Sequence, residues 1–165
     1  MGNVPIYFSI YTEIGSNLGS AQMDYQRIIA AVDLDEHSDL VLSRAKAVAG
    51  VTGAQLRLLH VVEYVPVEPM GEALLPAVNI EEELVAGART RLAELAAKAG
   101  LDFAEQRVIA GTIKSELLRE AREWPADLVV LGSRERHGLA LIVNLTEDAV
   151  LHAAPCDVLA VRLSG

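Results

Sequence analysis

Only one cysteine, Cys156, occurs in the 165 residues. That excludes an intramolecular disulfide framework and any metal site built from several thiolates, and it fits a reducing cytoplasm. Aromatic residues are scarce at 4% although 52% of the chain is hydrophobic, so the core must be aliphatic, which suits helices packed on a buried sheet. Basic residues are also few, 14 against 23 acidic ones, and the net charge of -9 repels phosphate backbones and anionic lipid surfaces. No nucleic acid and no membrane partner is therefore expected. No apolar run approaches the roughly 20 residues that span a bilayer, and no basic segment followed by an apolar stretch opens the chain. The expectation is a cytoplasmic, unexported protein with one compact domain.

What is present alternates between two periods. Arg27–Val32 is a continuous apolar run after one basic residue, as in a strand covered on both faces, and it ends at Asp33. Ser38 is placed to cap a helix over 39–49, with Asp39 at its positive end and Gly50 to stop it. A second strand, Gln55–Val62, is followed by a loop carrying Pro66, Pro69, Gly71 and Pro76. Asn79 can cap a long helix over Ile80–Ala99, whose Glu81, Glu82 and Glu83 are explained by helix electrostatics rather than catalysis. The pattern repeats with a strand at Glu105–Ile109, a helix near Ile113–Glu123, a strand at Asp127–Leu131, a helix near Leu145–Ala153 and a strand at Asp157–Leu163. Strands alternating with helices imply right-handed crossovers: an α/β fold, one doubly wound domain with a five-stranded parallel sheet and helices on both faces.

Residues 1–22 stand apart from this pattern, and a domain over 23–165 begins naturally at Met23. The first segment reads as an N-terminal extension, a tag or a misassigned start. Its stretch Ile6–Tyr11 has strand propensity and is expected either to add to a sheet edge or to be a vector remnant.

Most chemistry-bearing residues have a plain structural explanation. Asp33, Asp35, Glu36, His37 and Asp39 would suit a hard metal ion, yet they read better as a solvated loop opening a helix, so no metal is expected. Cys156 has no base at local spacing and reads as core, and His60 and His152 read as structural. Ser133 follows Gly132, but no nucleophile elbow surrounds it. No catalytic residue is assigned.

The segments Ile28–Leu34, His60–Val62, Gly111, Asp127–Ser133 and Ala154–Leu159 stand in the order and spacing of the universal stress protein family, which the chain resembles over about residues 24–163. The resemblance implies strand order 3-2-1-4-5, with a ligand crevice where chain direction reverses between the first and fourth strands. It implies that Asp33 and Val61 would face adenosine, that Gly111 lines the same crevice, and that a glycine-rich turn from Gly132 would hold phosphates. Family members that bind ATP resemble the pattern Gly, two residues, Gly, nine residues, Gly, then Ser or Thr, in which backbone N–H groups approach the phosphate oxygens. Here Gly132 is kept, but Glu135 replaces the second glycine, and Asn144-Leu145 replaces the Gly-Ser pair. The interval from Gly132 to Asn144 is 144 − 132 = 12 positions where the pattern needs 13, and Gly138 does not restore it. Arg134, Arg136, His137 and Thr146 could compensate in an alternative ATP-binding switch or slow ATPase, with ATP and Mg²⁺ as cofactors. The shorter loop instead resembles the stress protein A branch, which implies a regulatory, non-enzymatic protein without nucleotide. The resemblance also implies a homodimer through the last strand, Val158 to Leu163, whose exposed edge would otherwise be a pairing template. Other protein partners are not specified by these residues.

Overall fold

The computed structural model describes residues 24–63, 80–134, 150 and 152–163. In chain order these form β1 (Arg27–Ala31), α1 (Ser38–Thr52), β2 (Gln55–Val62), α2 (Ile80–Lys98), β3 (Glu105–Ala110), α3 (Ile113–Glu123), β4 (Leu128–Arg134) and β5 (Asp157–Leu163). The strands make one sheet, order β3-β2-β1-β4-β5, and every pairing is parallel. The expected α/β architecture and strand order are both present. Val150, His152 and Ala153 are helical, so the expected fourth helix is described only at its end. Residues 1–22 and the proline-bearing loop lie outside the described residues.

The period of two along each strand feeds two separate cores. Ile28, Ala30, Leu56, Leu58, Leu128, Val130, Val161 and Leu163 turn to one face, where they meet Val41, Leu42 and Ala45 of α1 and Ala88, Leu92 and Ala96 of α2. Ile29, Leu59, Val129 and Leu131 turn to the other and pack with Leu117 and Ala121 of α3 and with Val150. Covering on both faces is why β1 and β4 read as unbroken apolar runs.

Two helix ends differ from expectation. Ser38 is the first residue of α1 rather than its cap: its Oγ accepts the Asp35 N–H at 3.1 Å and donates to Asp35 Oδ1 at 3.2 Å. Gly50 does not stop α1, because nothing there demands a left-handed residue. The helix runs to Thr52 and ends at Gly53, whose φ of 73° and N–H bond to the Ala49 carbonyl at 2.8 Å form the left-handed cap.

At the amino edge of the sheet, Asp127 Oδ2 accepts the Gln26 and Arg27 N–H groups at 2.9 and 2.8 Å, tying the start of β1 to that of β4. Beside it, the Tyr25 hydroxyl donates to Asp157 Oδ2 at 2.9 Å. Burial, with Asp157 and Asp127 adding repulsion, pushes the Cys156 thiol up to about 11. Burial and Asp157 push Tyr25 to about 12. An unfolded chain loses these protons first, so stability is expected to fall as pH climbs above about 9. At pH 8 the folded chain should react with an aromatic disulfide reagent about a hundredfold more slowly than the urea-unfolded chain, because its thiolate fraction is lower. Equal rates would show that the thiol is open and unperturbed.

Candidate functional site: the crevice at the carboxyl ends of the central strands

α1, which follows β1, packs on one face of the sheet and Val150, which precedes β5, on the other; with strand order reversing between β1 and β4, a crevice is expected at their carboxyl ends. The last register pairs across β1 are Ala31 with Leu59 and Ala30 with Val130. Carried two residues further, the first register sets Asp33 level with Val61 and the second sets Gly132 level with Val32, so these residues named from sequence stand within one residue of a common level. Gly111 is one strand further out, just past the pairing of Val62 with Ala110.

The loop between β1 and α1 is held from several sides. The Val32 N–H donates to the Leu59 carbonyl at 3.0 Å, and the Val32 carbonyl lies 2.7 Å from His60 Nδ1, which makes that nitrogen the protonated one. Leu34 is buried with φ of 57°, a left-handed conformation that costs a leucine roughly 1–2 kcal/mol. Its carbonyl accepts a bond from Arg91 Nη2 of α2 at 2.5 Å. Asp35 Oδ1 then accepts the His37 N–H at 3.0 Å. Between these anchors Asp33 is exposed, and its carboxylate has no partner among the described residues.

On the next strand Val61 is half-buried, and Glu63 accepts the Ile113 N–H at 3.1 Å, placing a carboxylate on the positive end of α3. Gly111 has φ of 151°, and a Cβ there would lie 2.7 Å from Glu116 Cγ. Both conformation and space require glycine at this junction of β3 and α3.

Gly132 corrects the expectation of a flexible turn. β4 continues three residues past Leu131, with Gly132, Ser133 and Arg134 paired to Val161, Arg162 and Leu163. The reason is that β5 runs far enough to supply partners. A Cβ on Gly132 would lie 2.7 Å from Leu163 Cδ1 and 3.5 Å from Val41 Cγ2, so the missing side chain is what lets Leu163 cross the strand. Arg134 is the last residue of β4; Arg136, Gly138 and Thr146 lie outside the described residues.

The mouth of the crevice is acidic. Asp33, Glu36 and Glu63 are exposed residues of the segments that follow β1 and β2 at this end of the sheet, with Asp39 in the first turn of α1; Asp39 is matched by Lys98 at 2.5 Å and Glu36 lies 3.6 Å from His37. Among the described residues no group of three or more His, Cys, Asp or Glu is arranged to hold a metal ion. Cys156 sits at the opposite edge of the sheet, beside Tyr25 and Asp157. Neither Arg91 nor Glu63 was legible as part of this site: an arginine inside a helix and a glutamate before a loop carry no local signal of a contact about fifty residues away.

A family model described as the universal stress protein family matches residues 24–162, nearly all of this fold. The chain belongs to the universal stress protein family. Universal stress protein A homologs 2 and 1 of Coxiella burnetii are each 37% identical to it, over 143 and 140 residues. These alignments cover 86% and 84% of this chain and 98% and 97% of the relatives. Among solved structures, a universal stress protein in complex with cAMP is similar with a TM-score of 0.63 at 24% identity, covering 86% of this chain and 99% of that one. Universal stress protein UspA from Lactobacillus plantarum gives 0.61 at 24% identity, covering 84% and 98%. At these identities the structural likeness speaks for the fold. No helix among the described residues is long and apolar enough to cross a membrane.

Proposed function

We propose that this universal stress protein is a non-enzymatic, regulatory homodimer that carries no nucleotide. The observation that supports this most is the continuation of β4 as a ladder-paired strand through Arg134. A phosphate cradle needs successive backbone N–H groups turned toward one anion, and pairing with β5 holds residues 132–134 extended instead. The next residue, Glu135, and the carboxylates of Asp33, Glu36 and Glu63 add repulsion toward a triphosphate. Gly132, the one retained glycine of the pattern, is accounted for by its contact with Leu163.

The carboxylate of Asp33, exposed and without a partner among the described residues, favours a second reading, in which Asp33 and Val61 hold adenosine and Arg134, Arg136 and Thr146 replace the lost glycines around the phosphates of ATP·Mg²⁺. A relative of the same fold was solved with cAMP. Thermal-shift titration with ATP and Mg²⁺ separates the two. A ligand at 100 times its dissociation constant stabilises a fold by about 2.7 kcal/mol, a rise of roughly 5–10 °C for a domain of this size. No shift at millimolar ATP is expected; a saturable rise at micromolar ATP overturns the first reading in favour of the second.

The two edges of the sheet, compared among the described residues, support the dimer. β3 is guarded by Glu105 and Arg107, both held in ion pairs, whereas β5 carries Val158, Leu159, Ala160 and Val161 in succession. Light scattering is expected to give about twice the chain mass of 17.7 kDa. Val158→Lys should halve that mass while circular dichroism stays unchanged; a dimer that survives the lysine would place the interface elsewhere.

A further inference from the structure

The loop that carries Asp33 adopts a backbone that its own sequence does not favour. Leu34 is neither glycine nor asparagine, the residues that enter the left-handed region with least cost, yet its φ is 57°. The bonds formed within the loop, from Asp35 to His37 and Ser38, begin only after Leu34, and His60 acts one residue before Asp33. The Leu34 carbonyl accepts its hydrogen bond from a different element, Arg91 of α2, 57 residues away. Arg91 stands beside Leu92, and Ala88, Leu92 and Ala96 form the buried face of α2, so the guanidinium projects from the margin of that packing face. The two carbonyls flanking Asp33 are thus each pinned by a side chain from a neighbouring element, while the Asp33 carboxylate between them is exposed and without a partner among the described residues.

We infer that Arg91 is a positioning residue: its guanidinium straps the Asp33 loop in left-handed geometry, so that the seating of α2 sets the aim of the Asp33 carboxylate. The inference does not rest on whether a nucleotide enters the crevice. A strained conformation persists only where surrounding contacts over-determine it; here the Leu34 side chain is held in the core, and the charged bond from Arg91 is the contact that ties its backbone carbonyl to α2. A shift of α2 that breaks this bond leaves Leu34 free to relax, which moves the adjoining carboxylate. Coupling of this kind is reciprocal, so whatever engages Asp33 also favours the seated position of α2.

Amide exchange on the full chain, read residue by residue by NMR, tests this. Arg91→Met keeps an unbranched apolar stem and removes the donor; Arg91→Lys keeps a donor. Exchange over residues 34–38 is expected to quicken about tenfold or more in the methionine variant and to return close to wild type in the lysine variant. The amides of Ile29 and Val129 should be unchanged in both, and the HN–Hα coupling of Leu34 should lose its left-handed value in the methionine variant alone. Unchanged loop exchange overturns the inference, as does a uniform rise across loop and strands, which would report global destabilisation. Failure of both Arg91→Met and Arg91→Gln to fold overturns it too, because a strap confined to the loop does not decide folding.

Discussion

Replacing Glu120 with alanine is expected to destabilise the fold by about 3–5 kcal/mol, a large fraction of the total stability of a domain this size. Glu120 lies on α3 with 2% of its side chain exposed, facing Arg57 of β2 and Arg107 of β3. Its two oxygens accept from Arg57 Nη1 and Arg107 Nη2, each at 3.1 Å. Arg57 is 11% exposed, bonds Glu105 Oε2 through Nε and Nη2 at 3.1 and 2.6 Å, and stacks 4.1 Å from the centroid of Trp124. Alanine therefore leaves a buried guanidinium short of one partner and opens a cavity under α3, while Glu105 limits the loss by holding the other edge of the fork. The chain has one tryptophan, so urea unfolding followed by fluorescence reads this site directly. The sharper measurement is the double variant Arg57→Met/Glu120→Met. Removing both buried charges together should recover most of the stability, because the desolvation cost disappears along with the pair. A loss below about 1 kcal/mol for Glu120→Ala would mean that water reaches Arg57 and that the network contributes little.

That network shows where local sequence reading stops. β1, β4 and β5 were legible because burial on both faces writes itself as apolar runs, and α3 because its apolar period agrees with its propensity. Arg57 interrupts a buried strand, and its compensation, a glutamate 63 positions later, is visible only once β2 and α3 share a face. The same holds at the crevice. Asp33, Val61 and Gly132 lie close together at the carboxyl edge because strand order alone brings them there. The left-handed turn at Leu34 was not legible, because a leucine gives no sign of positive φ and the bond that offsets the strain comes from α2. Gly132 was found for the wrong physical reason: a glycine after an apolar strand reads as a turn, whereas here it continues the strand and admits a neighbour.

Gly132→Val is expected to cost about 3 kcal/mol, the upper end of what overpacking a close-packed site usually costs. A Cβ alone would stand 2.7 Å from Leu163 Cδ1 and 3.3 Å from its Cγ, and the added methyl groups face Val41 Cγ2, 3.5 Å from that Cβ. Leu163 is itself 7% exposed and belongs to the core shared with α1, so it has little room to rotate away. The companion variant decides the cause. Gly132→Val/Leu163→Ala should be more stable than the sum of the two single losses implies, since truncating the leucine vacates the space that valine needs. Strict additivity would instead show that position 132 requires glycine for its backbone. In that case β4 samples a turn-like excursion, and residues 132–134 are able to direct backbone N–H groups toward a phosphate. Recovery in the double variant ties the glycine to packing against β5, and its retention in this chain then says nothing in favour of phosphate binding.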